Sequence, residues 1–246
     1  MSDLSSKIKS ALHKRGASLV GFADLSEMPA NVRHFKRFAV SIAVALDSSI
    51  IANIRKGPTQ EYYSEYRKAN ASLSDLGKYT ARMIRDYGYK GIAKAPTNVG
   101  IDPKTHSTAL PHKTVATRAG LGWIGKCALL VTKEYGSAIR LTTVLTDAEL
   151  ETAIPVDKSL CGDCLICVNL CPGKAPSGKN WKANLHRDKF FNPFTCRRTA
   201  RKYARKIGID DTVCGICISV CPWTKKYIKR RTIKRYCKGE QSYGTV

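Results

Sequence analysis

The cysteines are the residues of this chain whose types and spacing indicate chemistry most directly. Residues 161–176 read CGDCLICVNLCPGKAP, in which two residues separate Cys161 from Cys164 and Cys164 from Cys167, and Cys171 follows before a proline. A [4Fe–4S] cluster requires four thiolate ligands around a small cube, and a C-x2-C-x2-C loop supplies three of them from one turn. The spacing therefore predicts an iron–sulfur site.

A second run, CGICISVCPW, repeats the pattern with one cysteine fewer. Cys196, in FNPFTCRRT, can supply the missing ligand. In two-cluster proteins with this spacing, the cysteine before the proline ligates the other cluster. We therefore predict two clusters. The first is held by Cys161, Cys164, Cys167 and Cys221, and the second by Cys171, Cys196, Cys214 and Cys217.

Zinc is the alternative metal, because four-thiolate zinc sites also use C-x2-C pairs. A tetrahedral zinc ion has no use for a third and a fourth cysteine at this spacing, so iron–sulfur clusters are favoured. Ten cysteines without a secretory signal also favour metal ligation over disulfides. Cys127 and Cys237 are left over, and a small buried hydrophobe is the first interpretation of such a residue, with a catalytic role as the alternative.

The charge of the chain is its second unusual property. The formal net charge is +23 over 246 residues. About half of this positive charge lies from Arg187 onward, where 16 Lys and Arg oppose 4 Asp and Glu. A basic surface of this kind suits RNA, the acidic face of another protein or a phosphate-bearing cofactor, and a merely solvated surface is the alternative. The polar N-terminus and the absence of a long apolar run lead us to expect a cytoplasmic protein without membrane segments.

The patterns before residue 155 alternate between helix and strand. Apolar residues at helical spacing predict helices over 3–16, 59–87 and 112–119, and RFAVSIAVAL predicts a strand buried on both faces. CALLVT and AIRLTTVLT predict two further strands around a KEYGS turn. After Pro155 the strand patterns end. We therefore predict an α/β (α+β) domain over 1–155 and a cysteine-bearing domain over 156–246, which ends in a basic tail.

The stretch TRAGLGWIGKCALLVTKEYGSAIRLTTVLTD, followed by the paired Cys-Pro runs, resembles the epoxyqueuosine reductases, relatives of the reductive dehalogenases. The resemblance extends from about Tyr62 to Trp223 and is most specific in AGLGWIGK and CPW. It implies a nitroreductase-like, cobalamin-type domain followed by a bacterial two-[4Fe–4S] ferredoxin-like domain. It also implies that an external donor supplies electrons, which reach base-off cobalamin from the nearer cluster. We expect that to be the first cluster. The basic tail favours an acidic donor such as ferredoxin or flavodoxin.

The same resemblance places a cobalamin site at the Gly-rich turn. The residues that correspond to it are Gly120, Gly122, Trp123, Gly125 and Lys126. The general-acid Asp of these reductases aligns with His106, and their C-terminal helical repeats have no counterpart after the last cysteines. We therefore expect a short paralogue that reduces a different acceptor.

His106 and His112 are the candidate proton donors, since a histidine titrates near working pH. The alternative is that both are structural residues of a polar loop. Three functions remain open at this point: a cobalamin-dependent reductase, an electron-transfer protein that reduces a corrinoid protein or another partner, and a redox protein that acts on tRNA.

Overall fold

The computed structural model describes residues 3–97 and 100–240, and the side chains of residues 234–240 lie outside that description. Cys237 is among the latter. The chain opens with helix α1 (Asp3–Lys14), whose residues Leu4, Ile8 and Leu12 are buried. Their spacing of four residues puts them on one face of the helix, as predicted. No helix within the described ranges has the length and apolar character needed to cross a membrane.

A four-stranded antiparallel sheet forms the centre of the first part of the chain. It consists of β1 (Leu19–Asp24), β2 (Phe38–Ala45), β3 (Gly91–Lys94) and β6 (Ile139–Thr146), in the order β1-β2-β6-β3. The first six residues of β2 are buried, because this strand has neighbours on both sides and helices on both faces. The prediction of a buried central strand is confirmed.

Helix α3 (Gln60–Asp86) covers one face of the sheet. Thr59 caps its first turn, because the Thr59 hydroxyl accepts a hydrogen bond from the backbone N–H of Tyr62 at 3.2 Å. Leu73 and Leu76 in its centre are buried against the strands. The short helix α2 (Ser48–Asn53) precedes α3, and α4 (His112–Arg118) packs on the opposite face of the sheet.

The segment CALLVT forms less strand than predicted. A two-stranded ladder joins β4 (Trp123–Ile124) to β5 (Leu130–Val131). Ala128 has a positive φ of 59° and its N–H bonds back to the carbonyl of Gly125, so residues 125–128 form a turn instead of extending the strand. This turn faces the cysteines.

The second part of the chain contains helices and isolated bridges, without a strand ladder, in the described residues. Its helices are α5 (Ile166–Asn169), α6 (Pro193–Arg205), α7 (Ile216–Ser219) and α8 (Pro222–Glu240). Cys167 lies on α5, Cys196 on α6 and Cys217 on α7. The other predicted ligands lie in loops and turns next to these helices.

One hydrophobic core crosses the predicted boundary at residue 155. Ile54 and Tyr62 from the first part pack with Ala204 and Ile218 from the second. The Tyr227 hydroxyl of α8 also donates a hydrogen bond to the carbonyl of Leu46 at 2.9 Å. The two predicted domains thus share a core, and the boundary itself stays a prediction.

We expect Gly136→Ala to lower the free energy of unfolding by about 3 kcal/mol, because two costs combine. Gly136 has a φ of +58°, and a Cβ atom there would lie 2.2 Å from the backbone nitrogen of Thr224 at the start of α8. Urea unfolding of the reconstituted protein measures the change.

Gly88→Ala is the matched control. Gly88 also has a positive φ, of +85°, but nothing lies within 4 Å of the added Cβ, so we expect a loss of about 1 kcal/mol from backbone strain alone. Equal losses in the two variants would contradict a close contact between the turn at Gly136 and α8.

Candidate functional site

Six cysteines line one small cavity of about 110 Å³. They are Cys127, Cys161, Cys164, Cys167, Cys217 and Cys221. All four predicted ligands of the first cluster therefore line the same cavity. Within the described residues, no three His, Cys, Asp or Glu side chains are close enough together to hold a single metal ion.

The Gly-rich turn forms one side of this cysteine cavity. Gly122 packs so tightly on β5 that a Cβ atom would lie 2.1 Å from the carbonyl oxygen of Val131. A Cβ on Gly125 would lie 3.6 Å from the sulfur of Cys127 and also 3.6 Å from that of Cys161. A Cβ on Gly125 would also lie 2.9 Å from the side chain of Val131, so glycine at both positions lets the turn pack closely on β5. Gly125 and Lys126 line the cavity.

Two tryptophans join this turn to the second cysteine run. The rings of Trp123 and Trp223 meet edge to face, with 5.1 Å between their centroids and 74° between their planes. Trp123 is 1% exposed. Trp223 belongs to the Cys-Pro-Trp sequence and lines the cysteine cavity. The AGLGWIGK and CPW motifs are therefore parts of one packed unit.

A second group of cysteines lies beside the first. The thiols of Cys171, Cys196 and Cys214 are close enough to act on one another electrostatically, and burial raises the pKa of Cys196 to about 11. Burial also raises the pKa values of Cys214 and Cys221. Buried thiols lose protons readily only when a positive centre replaces them, as iron does in a cluster. The buried thiols of both sets therefore fit iron–sulfur clusters.

Cys217 lies between the two groups. It was assigned from the sequence to the second cluster, but its side chain also lines the cavity of the first set. Cys127, expected to be an ordinary buried residue, is 5% exposed and lies on the same cavity wall. Its position two residues after Gly125, in a turn that must approach the cysteines, is the signal that could have indicated this.

A larger cavity of about 490 Å³ lies on the other side of the same turn. Residues from α3, α4, β6 and the loops over 94–97 and 100–111 surround it. The polar and charged side chains in its lining are His34, Tyr62, Lys94, Thr97, Thr108, His112, Lys113, Ser137 and Arg140. Arg140 stacks on the ring of Tyr66 at 4.4 Å and bonds to Asn70 at 3.0 Å, so its guanidinium is held in place.

The two cavities share a thin wall. Cys127 lines the cysteine cavity, and its neighbour Ala128 lines the larger one. In the same way, Cys217 lines the cysteine cavity and Ile218 lines the larger one. Consecutive Cα atoms are about 3.8 Å apart, so the separation at these two points is a single layer of backbone.

His112, a candidate proton donor, lines the larger cavity and is fully hydrogen-bonded. Its Nε2 lies 2.9 Å from the carbonyl oxygen of Ala95, and its Nδ1 lies 2.8 Å from the hydroxyl of Thr143. A carbonyl only accepts, so Nε2 carries the proton and donates it, and in the neutral ring Nδ1 accepts from Thr143. Burial lowers the pKa of His112, which favours this neutral form at pH 7.

Lys113, which sequence reasoning missed, is a stronger candidate for holding a mobile proton. Burial lowers its pKa to about 8, with a further lowering from Arg187. Its Nζ donates a hydrogen bond to the carbonyl of Ala128 at 2.7 Å, on the shared wall. A lysine with this pKa exchanges protons near neutral pH. No sequence pattern marks it, because its burial arises from distant segments.

His106 lies outside both cavities. Its backbone has a positive φ of 50°, its ring contacts that of Phe194 with 4.8 Å between centroids, and Arg187 donates a hydrogen bond to its carbonyl at 2.6 Å. The ring lines a separate groove of about 830 Å³ along α6, the α6 groove. The other residues of that groove are Phe194, Arg197, Arg198, Arg201, Lys202, Arg205 and Lys206.

Gly120, Gly122 and Trp123 are not among the described residues that line the larger cavity, and Gly125 and Lys126 face the cysteines instead. A role for these five residues in binding cobalamin stays a prediction. A cofactor would have room in the larger cavity.

Comparison with known proteins agrees with this arrangement. Residues 160–224 match the family described as 4Fe-4S double cluster binding domain, which confirms the prediction of two [4Fe–4S] clusters. An epoxyqueuosine reductase from Lactococcus garvieae (strain Lg2) is 34% identical over 179 residues, covering 71% of this chain and 50% of the relative.

Two solved structures share the fold. A reductive dehalogenase, for which B12-dependent dehalogenation is described, superimposes with a TM-score of 0.69 at 17% identity, over 95% of this chain and 34% of its own. An epoxyqueuosine reductase bound to an epoxyqueuosine-modified tRNA-Tyr stem loop superimposes with a TM-score of 0.57 at 19% identity, over 90% of this chain and 65% of its own. These likenesses confirm the predicted α/β (α+β) fold.

The chain spans about half the length of the curated relatives that it matches. Within that span it contains the Gly-rich turn, the Cys-Pro-Trp sequence and both cysteine sets of the resemblance. The chain is therefore similar to epoxyqueuosine reductases over about 70% of its length, and it carries a 4Fe-4S double cluster binding domain.

Proposed function

We propose that this chain is an iron–sulfur oxidoreductase, in which two [4Fe–4S] clusters deliver electrons from an acidic donor to cobalamin in the larger cavity, for the reduction of a substrate. The observation that carries the proposal is the shared wall, where Cys127 and Cys217 face the cysteine cavity and their neighbours Ala128 and Ile218 face the larger one. Electron transfer from a cluster to a cofactor requires such proximity.

The larger cavity has properties that suit a corrinoid. Its volume of about 490 Å³ is within the range of small-molecule sites, and it remains open on one side. Leu129, Leu130 and Leu141 supply apolar surface, while Lys94 and Arg140 supply positive charge for polar substituents. When bound, cobalamin supplies redox chemistry at cobalt, and the protein's part is to orient it and to exclude competing reactions.

Cysteines of both groups lie near the larger cavity. Lys113 interacts electrostatically with Cys127 and Cys196, and Tyr62 interacts with Cys217 and Cys214. Tyr62 also packs against Gly215, where a Cβ atom would lie 3.1 Å from its ring. The expectation that the first cluster is the nearer one to the cofactor stays a prediction.

Lys113 is the proton donor in this proposal. Its Nζ is at the shared wall, and its pKa of about 8 leaves it mostly protonated at pH 7. His112 is neutral and both of its ring nitrogens are engaged, by Ala95 and Thr143, so the proposal gives it a structural part in the cavity lining. His106 lies in the α6 groove instead, so the proposal gives it no part in the proton transfer.

We expect anaerobically reconstituted protein to contain about eight iron atoms per chain and the Cys196→Ala variant about four, because one cluster loses a ligand. Iron analysis and the EPR spectrum of the reduced protein measure this. Cys127→Ala is the matched control and should keep about eight. Normal iron content in the Cys196 variant, or loss of iron in the Cys127 variant, would contradict the ligand sets.

We expect cob(II)alamin to bind to the larger cavity and to give the EPR spectrum of a base-off species. Ala109→Trp places a large ring at the exposed rim of this cavity and should weaken binding about tenfold, equivalent to about 1.4 kcal/mol. Ala71→Trp, at an exposed position of α3 that does not line the cavity, is the control. Absence of binding to the unchanged protein would favour an electron-transfer protein that reduces a corrinoid protein or another partner.

RNA is the second candidate ligand class, and the α6 groove favours it. Six Lys and Arg side chains line the groove. His106 of the groove belongs to the same loop as Thr108, Ala109 and Leu110 at the rim of the larger cavity. A phosphate backbone along α6 would therefore bring a base towards that cavity. A related reductase structure contains a tRNA stem loop.

We expect an anticodon stem-loop RNA to bind about tenfold more weakly when Arg197, Arg198 and Lys202 are all changed to Gln, with a flatter dependence on salt, because fewer counterions are released. Fluorescence anisotropy at several salt concentrations measures both. The matched control removes the same charge from α8, by changing Lys225, Lys226 and Lys229 to Gln. If the α8 variant loses more affinity than the α6 variant, the groove is not the RNA site.

A further inference from the structure

The first cysteine run lies at the protein surface, whereas the second run is buried. Six of the ten residues of segment 161–170 are exposed, and α5 within it contains no buried residue. In the second run, Ile216, Ile218 and Val220 are all buried. The loop that holds three ligands of the first cluster is therefore the part of the metal centre that another protein can reach.

This exposed loop displays apolar side chains. Leu160 is 51% exposed, Leu165 44%, Ile166 37% and Leu170 45%, and all four are next to or between the cysteines of the first run. We name these four residues the cluster-loop patch. Contiguous exposed apolar residues in a rim of polar groups mark binding surfaces more often than scattered ones.

Four exposed lysines surround the cluster-loop patch: Lys158, Lys174, Lys179 and Lys182. Lys158 and Lys182 face each other in a β-bridge beside Leu160. The N–H of Lys174 bonds to the carbonyl of Cys171, next to Leu170. None of the four forms an ion pair in the described part of the chain.

Lys179 is held near the patch by its neighbours. A Cβ atom on Gly178 would lie 3.5 Å from the side chain of Leu165, and the amide of Asn180 donates a hydrogen bond to the carbonyl of Gly162 at 3.0 Å. The segment 178–182 therefore lies along the cysteine loop. The patch has an apolar centre, and four lysines and one carboxylate, Asp163, lie around it, so its net charge is positive.

We propose that the cluster-loop patch and its lysines are the docking site of the electron donor, a small acidic carrier protein whose prosthetic group lies near its own surface. The proposal rests on the proposed function and specifies where electrons enter. An apolar centre with a charged rim suits a weak, fast redox encounter, in which charge steers the approach and the apolar contact orients the partners.

The position of the patch agrees with the place of the first cysteine set in the structure. The cysteines of that set line a cavity that reaches from the exposed loop to the wall shared with the larger cavity. Entry at the patch thus delivers electrons to the first cluster. The α6 groove is less suited to the donor, because it adjoins the rim of that cavity.

The test uses the full chain with both clusters and an acidic flavodoxin as the probe. Lys158, Lys179 and Lys182 are changed together to Glu. We expect the dissociation constant of oxidised flavodoxin to rise about tenfold and the second-order rate constant for oxidation of its hydroquinone to fall about tenfold at low salt. At about 1 M salt, where the Debye length is about 3 Å, the two proteins should become equal. Calorimetry and stopped-flow absorbance of the flavin measure these quantities.

A matched control changes Lys9, Lys14 and Lys78 to Glu. These lysines are exposed on α1 and α3, so the net charge changes equally, and flavodoxin binding should stay close to that of the unchanged protein. Leu165→Ser tests the apolar centre. It should weaken binding at high salt as well, because its contribution is not electrostatic. Iron content confirms that each variant keeps both clusters.

Equal losses in the control and in the lysine variant would overturn the proposal, since net charge alone would then attract the donor. Unchanged binding in the lysine variant, or a flavodoxin that binds neither protein, would overturn it as well. Patch-dependent binding of flavodoxin without reduction of the clusters would support the docking site and count against the proposed function.

Discussion

The contact between the Gly-rich turn and the two cysteine runs is the constraint on which the rest of the structure depends. A [4Fe–4S] cube needs four sulfurs at one point, and here the sulfurs come from loops that are far apart in the chain. Residues 123–131 pack with Cys161, Cys221 and Trp223 of these loops. Gly122 and Gly125 hold this turn close to β5, because a Cβ atom there would lie 2.1 and 2.9 Å from Val131. Without that turn the buried thiols would have no fixed position.

The same contact places two chemically different cavities back to back. One side of the wall presents thiols, and the other presents Lys113, Arg140 and apolar side chains. A single layer of backbone separates them at Cys127 and Cys217. The packing of one turn thus brings together the two sites that the proposed function couples. The shared core around Tyr62 and Ile218 holds the two parts of the chain in this relation.

The large positive charge of the chain is divided among surfaces with different surroundings. The α6 groove combines six cations with a position beside the larger cavity, where a polyanion could accompany a substrate. The cluster-loop patch combines fewer cations with exposed leucines, which suits a protein partner. The exposed lysines of α8 adjoin neither cavity rim, although Lys226 lies 4.7 Å above the ring of Trp223. Net charge alone did not distinguish these surfaces.

Much of the metal centre could be predicted from the sequence by itself. Cysteine spacing determines which sulfurs one turn can offer to a cube, and this is a local property of the backbone. Helical periodicity predicted α1 and α3, and a β-branched apolar run predicted the buried strand β2, because each pattern reports which faces of one element are covered. The Gly-rich turn and the Cys-Pro-Trp sequence also carried the family resemblance.

Tertiary structure alone decided which polar groups meet. His106 and His112 are six residues apart, yet one lies in the α6 groove and the other in the larger cavity, since the loop between them crosses the rim. Lys113 acquires its lowered pKa from burial by segments that no local pattern connects to it. Cys127 and Cys217 meet on one wall for the same reason. Ligand spacing is a property of a few neighbouring residues, whereas burial and proximity are properties of the whole packed chain.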